Sequence, residues 1–92
     1  MKQERKPRSF RRVQSPDVGY RLRAIRMSAI NPRTGKWYTL QELAKFWRVN
    51  YEVIRDYEIG RRQACHEFLI KYSLLGGRSL DWILTGKEPA RK

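Results

Sequence analysis

Apolar residues recur at three- and four-residue spacing in five stretches of this chain, and stop signals keep every stretch to a few turns. That alternation of short amphipathic helix and stop restricts the chain to a small all-α fold. Ser15 caps a first helix with Pro16 at its first position, and Val18, Leu22, Ile25 and Ala29 form its inward stripe. Asn31-Pro32-Arg33-Thr34-Gly35-Lys36 breaks this helix. Ile30 before the break and Trp37 and Tyr38 after it are strand-type residues, so a short β-hairpin is expected there, with Gly35 at positive φ. Thr39 with Glu42 three residues on is a capping box opening a second helix, which faces inward through Leu40, Leu43, Ala44 and Trp47. Asn50 caps a third helix with Val53, Ile54 and Tyr57 inward, ended by Gly60. A fourth, from about Ala64 to Leu75, buries Phe68, Leu69, Tyr72 and Leu75 and stops at Gly76-Gly77. Ser79 caps a fifth with Leu80, Trp82, Ile83 and Leu84, stopped by Gly86; Trp82 is assigned to the core.

Charge narrows the function. The 92 residues carry 21 Lys+Arg against 9 Asp+Glu, a net charge of +12, which points to a polyanionic partner. Its distribution is uneven: residues 50–60 come to −2 inside an otherwise basic chain. Residues 1–16 are basic and poor in apolar side chains, and read as a disordered arm able to follow a nucleic-acid backbone. Residues 17–87 form one domain, and residues 88–92 a short basic tail.

Several classes are disfavoured by what is missing. One cysteine, Cys65, and one histidine, His66, assemble neither a disulfide nor a zinc set, so no metal or cofactor is expected. As neighbours on a helix, these two side chains point about 100° apart, which removes them as a nucleophile and base pair. No enzymatic activity is therefore expected, and no residue is assigned as catalytic. No apolar run approaches a membrane span or a secretory leader, so membrane association is not expected and a reducing cytoplasm is the expected compartment.

Only Arg48 and Val49 separate the second helix from the Asn50 cap of the third, which is the layout of a helix-turn-helix. Leu43 and Ile54 are placed to join the two helices, Ala44 to let them approach, and Val49 to plug the turn. The chain resembles the phage lambda repressor-like (Cro and XRE-type) helix-turn-helix family across residues 18–86. The resemblance rests on Leu22-Arg23-Ala24-Ile25-Arg26, on Thr39-Leu40-Gln41-Glu42-Leu43-Ala44, on Ile54 to Gly60 with Glu58-Ile59-Gly60 at its end, and on Ser79-Leu80-Asp81-Trp82-Ile83-Leu84-Thr85-Gly86.

The resemblance implies a sequence-specific regulator of bacterial or phage type, most simply a repressor, that binds double-stranded DNA with the third helix in the major groove. Asn50, Tyr51, Glu52, Arg55 and Asp56 then face the bases, with Arg55 suited to guanine and Glu52 to the cytosine amino group. Asp56 has no obvious role in such a groove, because a carboxylate there repels phosphate. Backbone contacts fall to Thr39, to Arg33 and Lys36 in the hairpin, to Arg61 and Arg62, and to Arg8, Arg11 and Arg12 in the arm. The family also implies a buried salt bridge between Arg26 and Glu58, and a homodimer on a two-fold operator with Leu80, Ile83 and Leu84 at the interface. No small-molecule effector is expected.

Three departures from the family pattern stand out. The connection between the first two helices is longer, Arg48 stands where the family has a glycine and so faces a strained positive φ, and Leu40 replaces a polar residue that touches phosphate. The acidic third helix also supports a different reading: a protein-interaction module, such as an antitoxin or a small phage protein, whose acidic face meets a basic protein partner.

Overall fold

In the computed structural model, which describes residues 16–88, the fold is organised around its first helix, α1 (Pro16–Ser28). This helix packs on α3 (Tyr51–Ile59), α4 (His66–Gly76) and α5 (Leu80–Thr85), while α2 (Leu40–Trp47) packs on α3 and α4 packs on α5. The described residues thus form five helices with almost no strand. Val18, Leu22 and Ile25 of α1 enter one core with Leu43, Ala44, Ile54, Tyr57, Tyr72 and Ile83. Each fully buried aliphatic side chain in that set stabilises the fold by about 1.5–3 kcal/mol.

Local signals set the boundaries. Thr39 Oγ1 accepts a 3.1 Å hydrogen bond from the Glu42 amide, and Glu42 Oε1 accepts one of the same length from the Thr39 amide, completing the capping box. Ser79 caps α5 through the Trp82 amide, and Gly60, Gly77 and Gly86 adopt left-handed geometry at the ends of α3, α4 and α5. Arg48 takes the strained conformation expected of it, at φ 59° and ψ 48°.

Four local expectations are corrected. The hairpin shrinks to a single antiparallel bridge between Ile30 and Trp37, with Gly35 at positive φ (75°) as expected. Residues 31–36 close instead around Asn31, whose amide donates to the Lys36 carbonyl and whose own carbonyl accepts from Thr34 and Gly35, and the chain then runs directly into the Thr39 cap. Asn50 stands at the N-cap of α3 but makes no side-chain capping bond. α4 begins at His66 rather than near Ala64, because Cys65 occupies the extended N-cap position; Phe68, Leu69 and Leu75 are only half-buried, and Tyr72 alone of the four is fully enclosed. Trp82 also lies at the edge of the core, half-buried, with the Arg78 guanidinium 3.8 Å from its ring centroid.

Two close approaches have no signature in hydrophobic periodicity. A Cβ at Gly19 would lie 2.5 Å from the Glu58 carbonyl oxygen and 2.8 Å from that of Tyr57, so α1 crosses the end of α3 at backbone distance. A Cβ at Gly76 would lie 2.6 Å from Ile25 Cγ2.

That crossing delivers Arg26 to Glu58, both more than nine-tenths buried. Arg26 Nε and Nη2 donate to the Glu58 carboxylate at 2.9–3.1 Å, and Nη1 donates to the Tyr38 carbonyl at 2.8 Å. The Tyr72 hydroxyl of α4 donates to Glu58 Oε2 at 2.8 Å. Burial first, and then the neighbouring Glu58 charge, push the Tyr72 phenol far above the ordinary tyrosine range. The Glu58 carboxylate of α3 therefore joins α1 and α4, and Arg26 ties in the segment entering α2 through the Tyr38 carbonyl.

Candidate nucleic-acid interface

The α2–α3 pair presents the outer face of α3 to solvent. Leu43 and Ala44 of α2 and Ile54 of α3 are buried together, and the left-handed Arg48 reverses the chain while its amide and that of Val49 satisfy carbonyls at the end of α2. With Ile54, Tyr57 and Glu58 turned inward, helical geometry leaves Glu52, Arg55, Asp56 and Ile59 around the opposite side, with Tyr51, one turn before Ile54, at its edge. Asn50, Tyr51 and Glu52 are exposed, and the uncapped Asn50 amide remains available as both donor and acceptor.

Arg55 and Asp56 are not two independent groups. Arg55 Nη2 donates to Asp56 Oδ1 at 3.2 Å, and Arg62 Nη2 lies 3.7 Å from Asp56 Oδ2. The Asp56 side chain is largely shielded, and the Arg55 guanidinium carbon lies 5.9 Å from the Tyr51 ring centroid. Arg55 Nε is buried without a hydrogen-bond partner among the described residues. Asp56 is thereby removed from the set of freely pointing base readers. It neutralises part of the local positive charge by pairing with two arginines, of which Arg62 is more than half exposed. Its backbone carbonyl also accepts from the Arg61 and Arg62 amides, which starts the exposed Arg61-Arg62 step directly beside α3.

The remaining expected positions are distributed around this face. Thr39 is exposed, but its hydroxyl oxygen is already committed to the α2 cap. Arg33 and Lys36 are exposed on the turn, with their amides fixed by Asn31 Oδ1 and Thr34 Oγ1. Arg8, Arg11 and Arg12 lie outside the described residues.

The expected interface on α5 needs one correction. Leu80 and Leu84 are exposed, but Ile83 is fully enclosed in the domain's own core, with its carbonyl accepting a 2.8 Å bond from Arg21 Nε on α1. A side chain needed there to hold α5 onto α1 is not available to a second copy.

A groove of about 440 Å³ beside the outer face of α3 brings in residues that the motif reading passed over. Arg23 and Tyr20 of α1 line it with Leu40, Arg55 and Ile59, above the buried Arg26–Glu58 pair. Arg23 and Arg55 thus flank the start of α2, where Leu40 lacks a polar side chain. The sequence signal for Arg23 was its place three residues before Arg26, one turn back along the same helix. Among the described residues no three His, Cys, Asp or Glu side chains gather as a metal-binding group, and no helix is long and apolar enough to cross a membrane.

Comparison of the chain with family models, with curated proteins and with solved structures finds no match.

Proposed function

We propose that this protein is a sequence-specific DNA-binding regulator of the lambda repressor-like helix-turn-helix type, acting most simply as a repressor that occupies a promoter. The observation that carries the reading is the α2–Arg48–α3 unit, which buries Leu43, Ala44 and Ile54 and leaves the opposite side of α3 in solvent between Arg23 and the Arg61-Arg62 step. In this reading α3 enters the major groove. Arg55, oriented by Asp56 and Tyr51, reads guanine, Glu52 accepts from cytosine, and Asn50 reads a base edge or holds a phosphate. Arg23, Lys36, Arg61, Arg62 and the basic residues 1–15 bind the backbone, and Leu80 and Leu84 of α5 contribute to a homodimer on a two-fold site.

The reading explains an acidic helix in a basic protein. The surrounding cations supply affinity, while Glu52 and the tethered Arg55 restrict which bases are accepted. Site selection from a random double-stranded pool tests it: an enriched motif that loses its preference with Arg55→Ala is expected. Failure to enrich any site would sink it.

One observation favours a second reading, in which the same face binds protein. Ile59 and Tyr20 are exposed apolar side chains bordering the 440 Å³ groove, an arrangement suited to a protein surface more than to phosphate. A pool without an enriched site, together with a complex that is lost on Ile59→Glu, would support it.

A further inference from the structure

We propose that a second groove, between residues 31–36 and α2, is a docking site for an acidic segment of a partner protein that carries one large apolar anchor. The groove has a volume of about 520 Å³, within the range of ligand-binding clefts. Phe46 is 61% exposed, an unusual state for a phenylalanine on a short packed helix. Its ring is backed by the buried Tyr38 ring at 5.9 Å, with 26° between their planes, so it is a supported surface and not a loose side chain. Pro32 supplies apolar surface on the facing wall.

That facing wall is built before any partner arrives. Asn31 is buried, its amide and carbonyl close the turn onto Lys36, Thr34 and Gly35, and its Oδ1 accepts the Arg33 amide at 2.9 Å. A preformed wall lowers the ordering cost of binding. Arg33 and Lys45 stand at the groove, and among the described residues neither makes an ion pair.

The charge pattern selects the class of occupant. The groove also contains Glu42, whose carboxylate is committed to the Thr39 amide and Asn31 Nδ2. A nucleic-acid strand, with a charge at every phosphate, brings some of that charge against Glu42. A peptide can place separate carboxylates on Arg33 and Lys45 and seat its apolar side chain on Phe46 between them. This surface is formed by the lengthened connection before α2 and by the side of α2 away from its buried residues, so it is distinct from the outer face of α3.

The test uses the full chain and fluorescence anisotropy, with a labelled peptide bearing one tryptophan between paired glutamates. Matched peptides replace the tryptophan by alanine or the glutamates by lysines, and labelled oligo-dT serves as the nucleic-acid arm. Wild-type protein is expected to bind the first peptide and to lose at least about tenfold in affinity with Phe46→Ala, as for a central anchor. Lys45→Glu should weaken binding similarly, with only the small loss of thermal stability expected from reversing a charge in the last turn of α2, which keeps the result independent of the Phe46–Tyr38 stack. Arg61→Ala, on the α3 side, should leave peptide affinity unaltered. The proposal is overturned if wild type does not bind the peptide, if Phe46→Ala and Lys45→Glu bind it as well as wild type, or if oligo-dT displaces it from the groove.

Discussion

The Tyr72 hydroxyl donates to Glu58 Oε2 at 2.8 Å, so α4 is tied to the carboxylate around which α1 and α3 cross. Burial of this phenol beside the Glu58 charge makes stability depend on alkaline pH. The folded phenol is held above its ordinary value of 10.0 by burial and by Glu58, whereas the unfolded tyrosine ionises near that value. The folded state therefore holds more protons above pH 10, and stability, fully present below pH 10, declines by about 1.4 kcal/mol per pH unit for this group. Tyr72→Phe is expected to lose about 1–2 kcal/mol at neutral pH and to remove that part of the alkaline slope. Urea titrations between pH 8 and 11 measure both; an unchanged slope would show that Tyr72 is not the group responsible.

Removing one member of the buried pair should cost more. Glu58→Gln leaves the Arg26 guanidinium enclosed without its counter-charge, with an expected loss of about 3–5 kcal/mol. Chemical denaturation at neutral pH checks this, and a loss below about 1 kcal/mol would mean that the charge is relieved by solvent.

At Gly19 two effects oppose each other. Alanine gains about 1 kcal/mol in helix propensity, but its methyl would meet two backbone carbonyls, and overpacking against atoms that cannot rotate away costs about 1–3 kcal/mol. Since the helices must separate, a net loss is expected for Gly19→Ala. A raised melting temperature would contradict the close crossing.

The left-handed residue at the α2–α3 turn gives the opposite sign. Arg48→Gly relieves about 1–2 kcal/mol of steric strain and returns part of it as unfolded-chain entropy, so a gain of up to about 1 kcal/mol is expected. The melting temperature should rise, while any affinity for DNA falls slightly with the lost positive charge.

Asp56→Ala separates the role of Asp56 from simple repulsion. If Asp56 only repels phosphate, the variant binds all DNA more tightly. If it positions Arg55 and Arg62, affinity for random sequence rises while discrimination at one base falls by about 1–3 kcal/mol, and Arg55→Ala shows the same loss at that base. Gel-shift titrations on an enriched site and on its single-base variants distinguish these outcomes.

The chain by itself determined the five helices and most of their ends, because caps and stops act within one turn: Thr39 on Glu42, Ser79 on Trp82, glycines where φ turns positive. It also determined where positive charge accumulates. The pairing of Arg26 with Glu58 was legible only through family resemblance, since nothing in their local sequences links residues 32 positions apart. Tertiary structure alone decided the rest. Crossing helices place Tyr72 on Glu58, require Gly19 to lack a side chain, and turn Ile83 inward from the interface where the family resemblance had placed it. They also leave Phe46 in solvent beside a turn expected as a hairpin. The physical reason is that periodicity gives a residue's angle on its own helix, whereas burial depends on which neighbouring elements pack against that angle.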